Sequence, residues 1–393
     1  MSDPISIQIF VLIDALGWPV VSKLNFLPDL LPYRRSLRTV LGYSSGAIPS
    51  ILTGRVPADH GHWNLLYYDP SGSPFRWLRV FDFLPRRLLD NRIGRRLLKE
   101  VGRRLLGLGP LFEVCVPPHL LPWFNWIEKR NIYAPAGIGG GGSIFDEMVQ
   151  LHIPHRVYSY HQFTDAEILR SAAKALEQGH RGIFFLYLSE LDGFLHRHCH
   201  LDAVLQEQLD RYASGLRRVL EQARTADPGA TMAVFSDHGM TPVRQRRDLV
   251  AEVEELGLSM PDDYLAVYDS TMARFWPFTE DARHLLHEKL ANVSCGRLLS
   301  DRELTSLGIF FPDHRYGELV VLLDPGWLLG GSGFNGRGWS PAGMHGYHPD
   351  DAYSDAVYLS SHPAPADLRT ITDIHKTMRQ AVQAAAVSAG TAR

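Results

Sequence analysis

Residues 231–240 read TMAVFSDHGM. The run from Thr231 to Phe235 is apolar and rich in β-branched and aromatic side chains, the pattern of a buried strand. It gives way to a carboxylate, Asp237, beside an imidazole, His238. Such groups are costly to bury unless something satisfies them. Two further runs end in the same way. ISIQIFVLI (5–13) is followed by Asp14, and GIFFLYL (182–188) continues as SELDGFLH, which contains Asp192 and His196.

Helical patterns lie between these runs, as in TDAEILRSAAKALEQG (164–179) and DAVLQEQLDRYASGLRRVLEQAR (202–224). GELVVLLD (317–324) reads as another strand, and the tail ADLRTITDIHKTMRQAVQAAA (366–386) as a last helix. Strands alternating with helices predict an α/β fold with a mostly parallel central sheet flanked by helices. Ligands of such sheets bind at the carboxyl ends of the strands. Asp14, Asp192, Asp237, His196 and His238 would then converge there. Several carboxylates in one crevice repel each other unless cations neutralise them. Mixed Asp and His ligation suits Zn²⁺, with Mn²⁺ as second choice.

The composition fits this reading. The 393 residues carry 40 basic and 43 acidic side chains, a net charge of −3 that does not point to a nucleic-acid polymer as partner. Eighteen histidines favour metal chemistry. Three widely spaced cysteines imply neither a disulfide framework nor a CxxC site. The N-terminus lacks the basic start of a signal peptide, and no apolar stretch is long enough to span a bilayer. The expectation is a cytoplasmic protein. Its oligomeric state is not legible.

Two stretches interrupt the strand–helix rhythm of what otherwise reads as one catalytic domain over 1–393. One, 68–142, is a basic, largely helical cap. The other, 250–340, is a second insertion ending in the Gly-rich loop LLGGSGFNGRGWSPAGM (328–344). Between Arg76 and Arg104 there are ten basic residues and three acidic ones. On a helical wheel Leu89, Ile93, Leu97, Val101 and Leu105 share one face, and Arg92, Arg95, Arg96, Lys99 and Arg103 take the other. That pattern fits a helix packed on the core through its apolar face. It also fits peripheral contact with an anionic membrane through 76–106. VPPHLLPWFNW (116–126) reads either as a pocket lining or as core. GIGGGGS (137–143) lacks the Lys-Ser/Thr of a P-loop and reads as a hinge. In HRHCHLD (196–202) only His196 stands four residues after Asp192, so His198, Cys199 and His200 are expected to pack or face solvent.

Five segments, taken in order, resemble the alkaline phosphatase superfamily, in particular its type I phosphodiesterase / nucleotide pyrophosphatase branch. They are FVLIDALG (10–17), GYSSGAIPSILTGRVPADHG (42–61), ELDGFLH (190–196), FSDHGM (235–240) and MHGYHP (344–349). The resemblance implies an alkaline-phosphatase-like core with cap insertions and two divalent metal ions. It implies one zinc held by Asp192, His196 and His345. It implies another held by Asp14, Asp237, His238 and the nucleophile oxygen. By position the nucleophile is Ser44, nine residues before Thr53, with Ser45 as its neighbouring competitor and substrate-binding candidate. The family Asn three residues after the nucleophile is Ala47 here. The phosphate-binding Asn expected four residues after Gly61 is Leu65, with Asn64 one position earlier. The Cys-x-Pro-x-Arg motif of sulfatases is absent near Ser44.

The implied activity is metal-dependent hydrolysis of a phosphoester, most readily a phosphodiester, through a phosphoserine intermediate. Two alternatives stay open. One is a phosphotransferase or phosphomonoesterase acting on a lipid or sugar head group. The other is a catalytically inactive protein that binds anionic membranes.

Overall fold

Strands built almost wholly of apolar side chains have no face to offer water, so both faces must be covered. A computed structural model shows that arrangement and describes residues 5–81, 89–108, 112, 114–127, 129–139, 142–161, 163–199, 201–331 and 340–390. Arg86, Arg87, His200 and residues 332–339 of the Gly-rich loop lie outside the described residues. The chain divides into two compact units.

The first unit comprises residues 1–61, 132–242 and 349–393. Its strands are β1 (Gln8–Ile13), β2 (Tyr33–Leu37), β3 (His155–Tyr158), β4 (Ile183–Leu188), β5 (Thr231–Phe235) and β6 (Ala356–Ser360). They form one sheet in the order β2-β6-β5-β1-β4-β3. β1 runs parallel to β4 and β5, and β3 parallel to β4. β6 is antiparallel to both of its neighbours. The register pairs Ile13 with Leu188 and Leu12 with Phe235, so β1, β4 and β5 end at the same level. The loops that carry the acids therefore leave one edge of the sheet together.

Helices α1 (Ser44–Thr53), α2 (Asp165–Glu177), α3 (Glu190–His198), α4 (Asp202–Ala226) and α5 (Ile374–Ser388) belong to this unit. Ile48, Ile51 and Leu52 of α1 and Met378 and Val382 of α5 share a core with Phe10, Leu12, Phe185 and Phe235 of the sheet. α2 packs on α4. The last α-helix starts at Ile374 rather than at 366; a 3₁₀ turn over Ile371–Asp373 precedes it, and Asp373 folds back to accept the Thr370 N–H at 2.9 Å in a capping box that begins that turn. That arrangement marks a helix beginning. Residues Ile132, Tyr133 and Ile138 join the core of this unit.

The second unit comprises residues 62–131 and 243–348. The interrupting stretches 68–142 and 250–340 fall mainly within it. Strands Tyr264–Tyr268, Met272–Pro277, Leu319–Leu323 and Gly296–Leu299 form an antiparallel sheet in that order. Phe75, Leu98, Phe112, Phe124 and Trp126 share one core with Leu265, Val267 and Trp276, so the two segments bury each other's apolar surface. Leu120 and Leu121 enter the same core, which places VPPHLLPWFNW among core segments. Arg274 is fully buried. Its guanidinium donates to Asp269 at 2.8 Å and to the Leu66 carbonyl at 3.0 Å, tying one segment to the other.

The helix Arg92–Leu105 corrects the wheel reading. Its buried residues are Gly94, Leu98 and Gly102, while Ile93, Leu97 and Leu105 are exposed. The cause is steric. A Cβ at Gly102 would stand 2.5 Å from the Phe112 ring, so the helix lies down on its smallest side.

Candidate metal centre

Asp14 follows β1 directly, and Asp237 and His238 follow β5 after one residue. The residue after His238 must be glycine, because a neighbouring backbone segment lies against it. A Cβ at Gly239 would lie 2.1 Å from the Tyr353 carbonyl oxygen, a distance no side chain tolerates. Ser44 opens α1, preceded by an extended Tyr43 whose carbonyl accepts from Gly46 and Ala47 at 2.8 and 3.0 Å. Backbone N–H groups of a first helical turn point away from the helix and suit an anion.

These elements set three oxygen groups around one nitrogen. His238 Nε2 lies 3.0 Å from Ser44 Oγ, 3.2 Å from Asp237 Oδ2 and 3.5 Å from Asp14 Oδ1. The other ring nitrogen, Nδ1, is 2.9 Å from the Gly239 carbonyl oxygen, which can only accept. Nδ1 therefore carries a proton, the arrangement common for metal-ligating histidines.

Each carboxylate is tied by one oxygen and open at the other. Asp14 Oδ2 accepts from the Tyr187 hydroxyl, and Asp237 Oδ1 accepts from the Ala15 N–H at 3.3 Å. Asp14 Oδ1 and Asp237 Oδ2 are buried and accept no hydrogen bond. Burial, and then the charges of Asp237 and Asp192, hold the Asp14 carboxyl well above the usual carboxylate range, against the hydrogen bond from Tyr187. A proton on Nε2 satisfies one acceptor at a time, whereas a cation among these atoms is met by all of them. Asp14, Asp237 and His238 each offer a ligand atom, all within 4.8 Å of one another. The residues fit a divalent metal.

Asp192 and His196 stand one turn apart on α3, with His196 Nε2 3.3 Å from Asp192 Oδ1. The structure thus brings Asp14, Ser44, Asp237 and His238 together in the first unit and holds Asp192 and His196 as a pair. Ser45, the next residue of α1, is buried. His345 and Asn64 belong to the second unit. His345 follows the short strand Gly343–Met344 and is buried, with Thr271 donating to the next carbonyl, Gly346, at 2.9 Å. Asn64 is buried, and its amide donates to Met272 Sδ at 3.6 Å. His198 packs on the Phe194 ring, and burial pushes the Cys199 thiol up to about 12, which leaves it inert as a nucleophile.

Three supporting residues escaped the sequence reading. Tyr187 is a hydroxyl in a wholly buried strand, and such a hydroxyl needs an acceptor. That was the one available signal. Thr39 Oγ1 donates to the Asp237 carbonyl at 2.6 Å. Asp165 accepts the Ser189 and Glu190 N–H groups at 2.9 and 3.0 Å, fixing the start of α3.

A model of the type I phosphodiesterase / nucleotide pyrophosphatase family matches residues 145–348, just over half of the chain. The chain belongs to that family. As a member of the type I phosphodiesterase / nucleotide pyrophosphatase family it is a phosphoric ester hydrolase. Solved structures with the same fold include mouse ectonucleotide pyrophosphatase / phosphodiesterase 5, with a TM-score of 0.67 and 15% identity. The human protein of that name has a TM-score of 0.67 and 12% identity. An inactive variant of the mouse protein in complex with AMP has a TM-score of 0.66 and 15% identity. Each covers 96% of this chain and 95% of the other. A search of curated proteins returned no match. The expected family and the alkaline-phosphatase-like α/β core are thereby borne out.

Proposed function

We propose that the chain is a phosphodiesterase that uses Ser44 as nucleophile beside a two-cation site and passes through a phosphoserine. The observation that carries this reading is the 3.0 Å approach of Ser44 Oγ to His238 Nε2, beside two buried carboxylate oxygens without donors. One cation would be held by Asp14, Asp237 and His238 together with Ser44, and Asp192 and His196 would supply ligands to the second. Bound there, such ions lower the pKa of an attached hydroxyl and neutralise the charge of a phosphoryl group.

The protein's own groups do the rest. Ser44 presents its oxygen at a helix start, where backbone N–H groups can orient the phosphoryl oxygens. Tyr187 and Ala15 hold one oxygen of each carboxylate, so the opposite oxygens keep facing the site. A neighbour of the same fold in complex with AMP supports a nucleotide phosphoester as the substrate class.

The test is hydrolysis of a chromogenic phosphodiester and of its monoester, combined with acid quenching and mass analysis of the Ser44 peptide. A preferred diester and a phosphate on Ser44 support the reading. A preferred monoester, or phosphate on another residue, overturns it.

A further inference from the structure

The Arg92–Leu105 helix leaves its bulkiest aliphatic side chains in solvent. Ile93 is 80%, Leu97 60% and Leu105 76% exposed, although each would gain by burial. Ile93 and Leu97 stand one turn apart on one side of the helix. The helix carries six basic residues and a single acid, Glu100. Glu100 pairs with Arg104 at 2.9 Å, and Arg95 with Asp90 at 2.8 Å. Arg92, Arg96 and Arg103 are exposed and meet no carboxylate among the described residues. The preceding turn, Arg76–Phe81, anchors in the same core through Leu78 and exposes Trp77 and Val80.

We infer that this face docks on an anionic lipid surface. Isolated aliphatic side chains bordered by unpaired guanidinium groups match the boundary between acyl chains and phosphate head groups. A protein interface of ordinary size draws on some 20–30 residues a side with charge depleted at its centre, which this helix face does not offer. The contact is peripheral. Among the described residues no helix is long and apolar enough to cross a membrane. The glycine seat described above is what makes the face available: because Gly94 and Gly102 go inward, Ile93 and Leu97 go outward. The inference stands apart from the assignment of Ser44.

The experiment is co-sedimentation of the full chain with phosphatidylcholine vesicles and with mixed phosphatidylcholine/phosphatidylglycerol vesicles. Binding to the mixed vesicles is expected, with loss at high salt. The doubles Ile93→Ser/Leu97→Ser and Arg96→Glu/Arg103→Glu should each weaken it by at least about ten-fold. Both alter exposed positions, so circular dichroism and melting temperature should stay at wild-type values. Equal binding to neutral and anionic vesicles, or no binding, overturns the inference. So does full binding by either double variant. Concentration-dependent dimerisation that Ile93→Ser/Leu97→Ser abolishes would assign the face to a second copy instead.

Discussion

His238 Nε2 stands 3.2 Å from Oδ2 of Asp237, the residue immediately before it in the chain. Adjacent residues of an extended strand point to opposite faces. Here the strand has ended at Phe235, and the chain bends at Asp237, so both side chains aim at one point. With Asp14 Oδ1 at 3.5 Å from the same nitrogen, the point carries an excess of negative charge.

The first prediction concerns the cation. Adding Zn²⁺ to metal-stripped protein should raise the melting temperature, because a ligand bound at 100 times its Kd stabilises by about 2.7 kcal/mol. Chelation should reverse the rise and abolish phosphodiester hydrolysis. Asp237→Asn should lose most of the metal-dependent rise. A rise of wild-type size in that variant, read by differential scanning calorimetry, would count against this cluster as the ligand set.

Ser44 and Ser45 should separate cleanly. Ser44→Ala removes the oxygen that stands 3.0 Å from His238 Nε2 and should lower kcat by about three orders of magnitude or more. Ser45→Ala should stay within about ten-fold of wild type. Steady-state rates on a chromogenic diester measure both. The reverse ranking would move the nucleophile to the neighbouring position.

Tyr187 acts through Asp14 rather than on substrate. Its hydroxyl occupies Asp14 Oδ2, and its ring stacks on Tyr133 at a centroid distance of 5.1 Å. Tyr187→Phe keeps the ring and removes the donor. Zinc affinity by calorimetric titration should fall about 10- to 100-fold, the usual effect of losing such a partner. An unchanged affinity would make the hydroxyl a packing detail.

His62 gives the second unit a dependence on pH. Burial lowers its imidazole to about 4. The unfolded chain, with an ordinary histidine near 6.5, therefore binds a proton between about 4 and 6.5 that the folded state does not, so stability falls as pH falls through that window. The contribution approaches about 3 kcal/mol at the acid end. Urea midpoints at pH 7 and pH 4.5 should move apart less for His62→Gln than for wild type.

The sheet and the charge cluster were legible because both are local. Apolar runs at 5–13, 182–188 and 231–236 marked the strands, and an acid at the end of each marked the crevice. What escaped depends on contacts far apart in sequence. Periodicity put Ile93, Leu97 and Leu105 on the packed face of their helix, but the close approach of Phe112 to Gly102 decided the orientation. Tyr187 looked like one more aromatic in a strand until the fold placed Asp14 beside it. The shared core of Phe75 and Trp126 with Leu265 and Trp276 joins segments with no common pattern.

That shared core also has a consequence for synthesis. Phe75, Phe112 and Trp126 leave the ribosome about 140–200 residues before Leu265 and Trp276, which at 5–20 residues per second leaves them uncovered for roughly 7–40 seconds. The nascent chain thus displays a cluster of aromatic surface while most of the other unit is being made. Its yield in cells should depend on chaperones that shield such surface during translation.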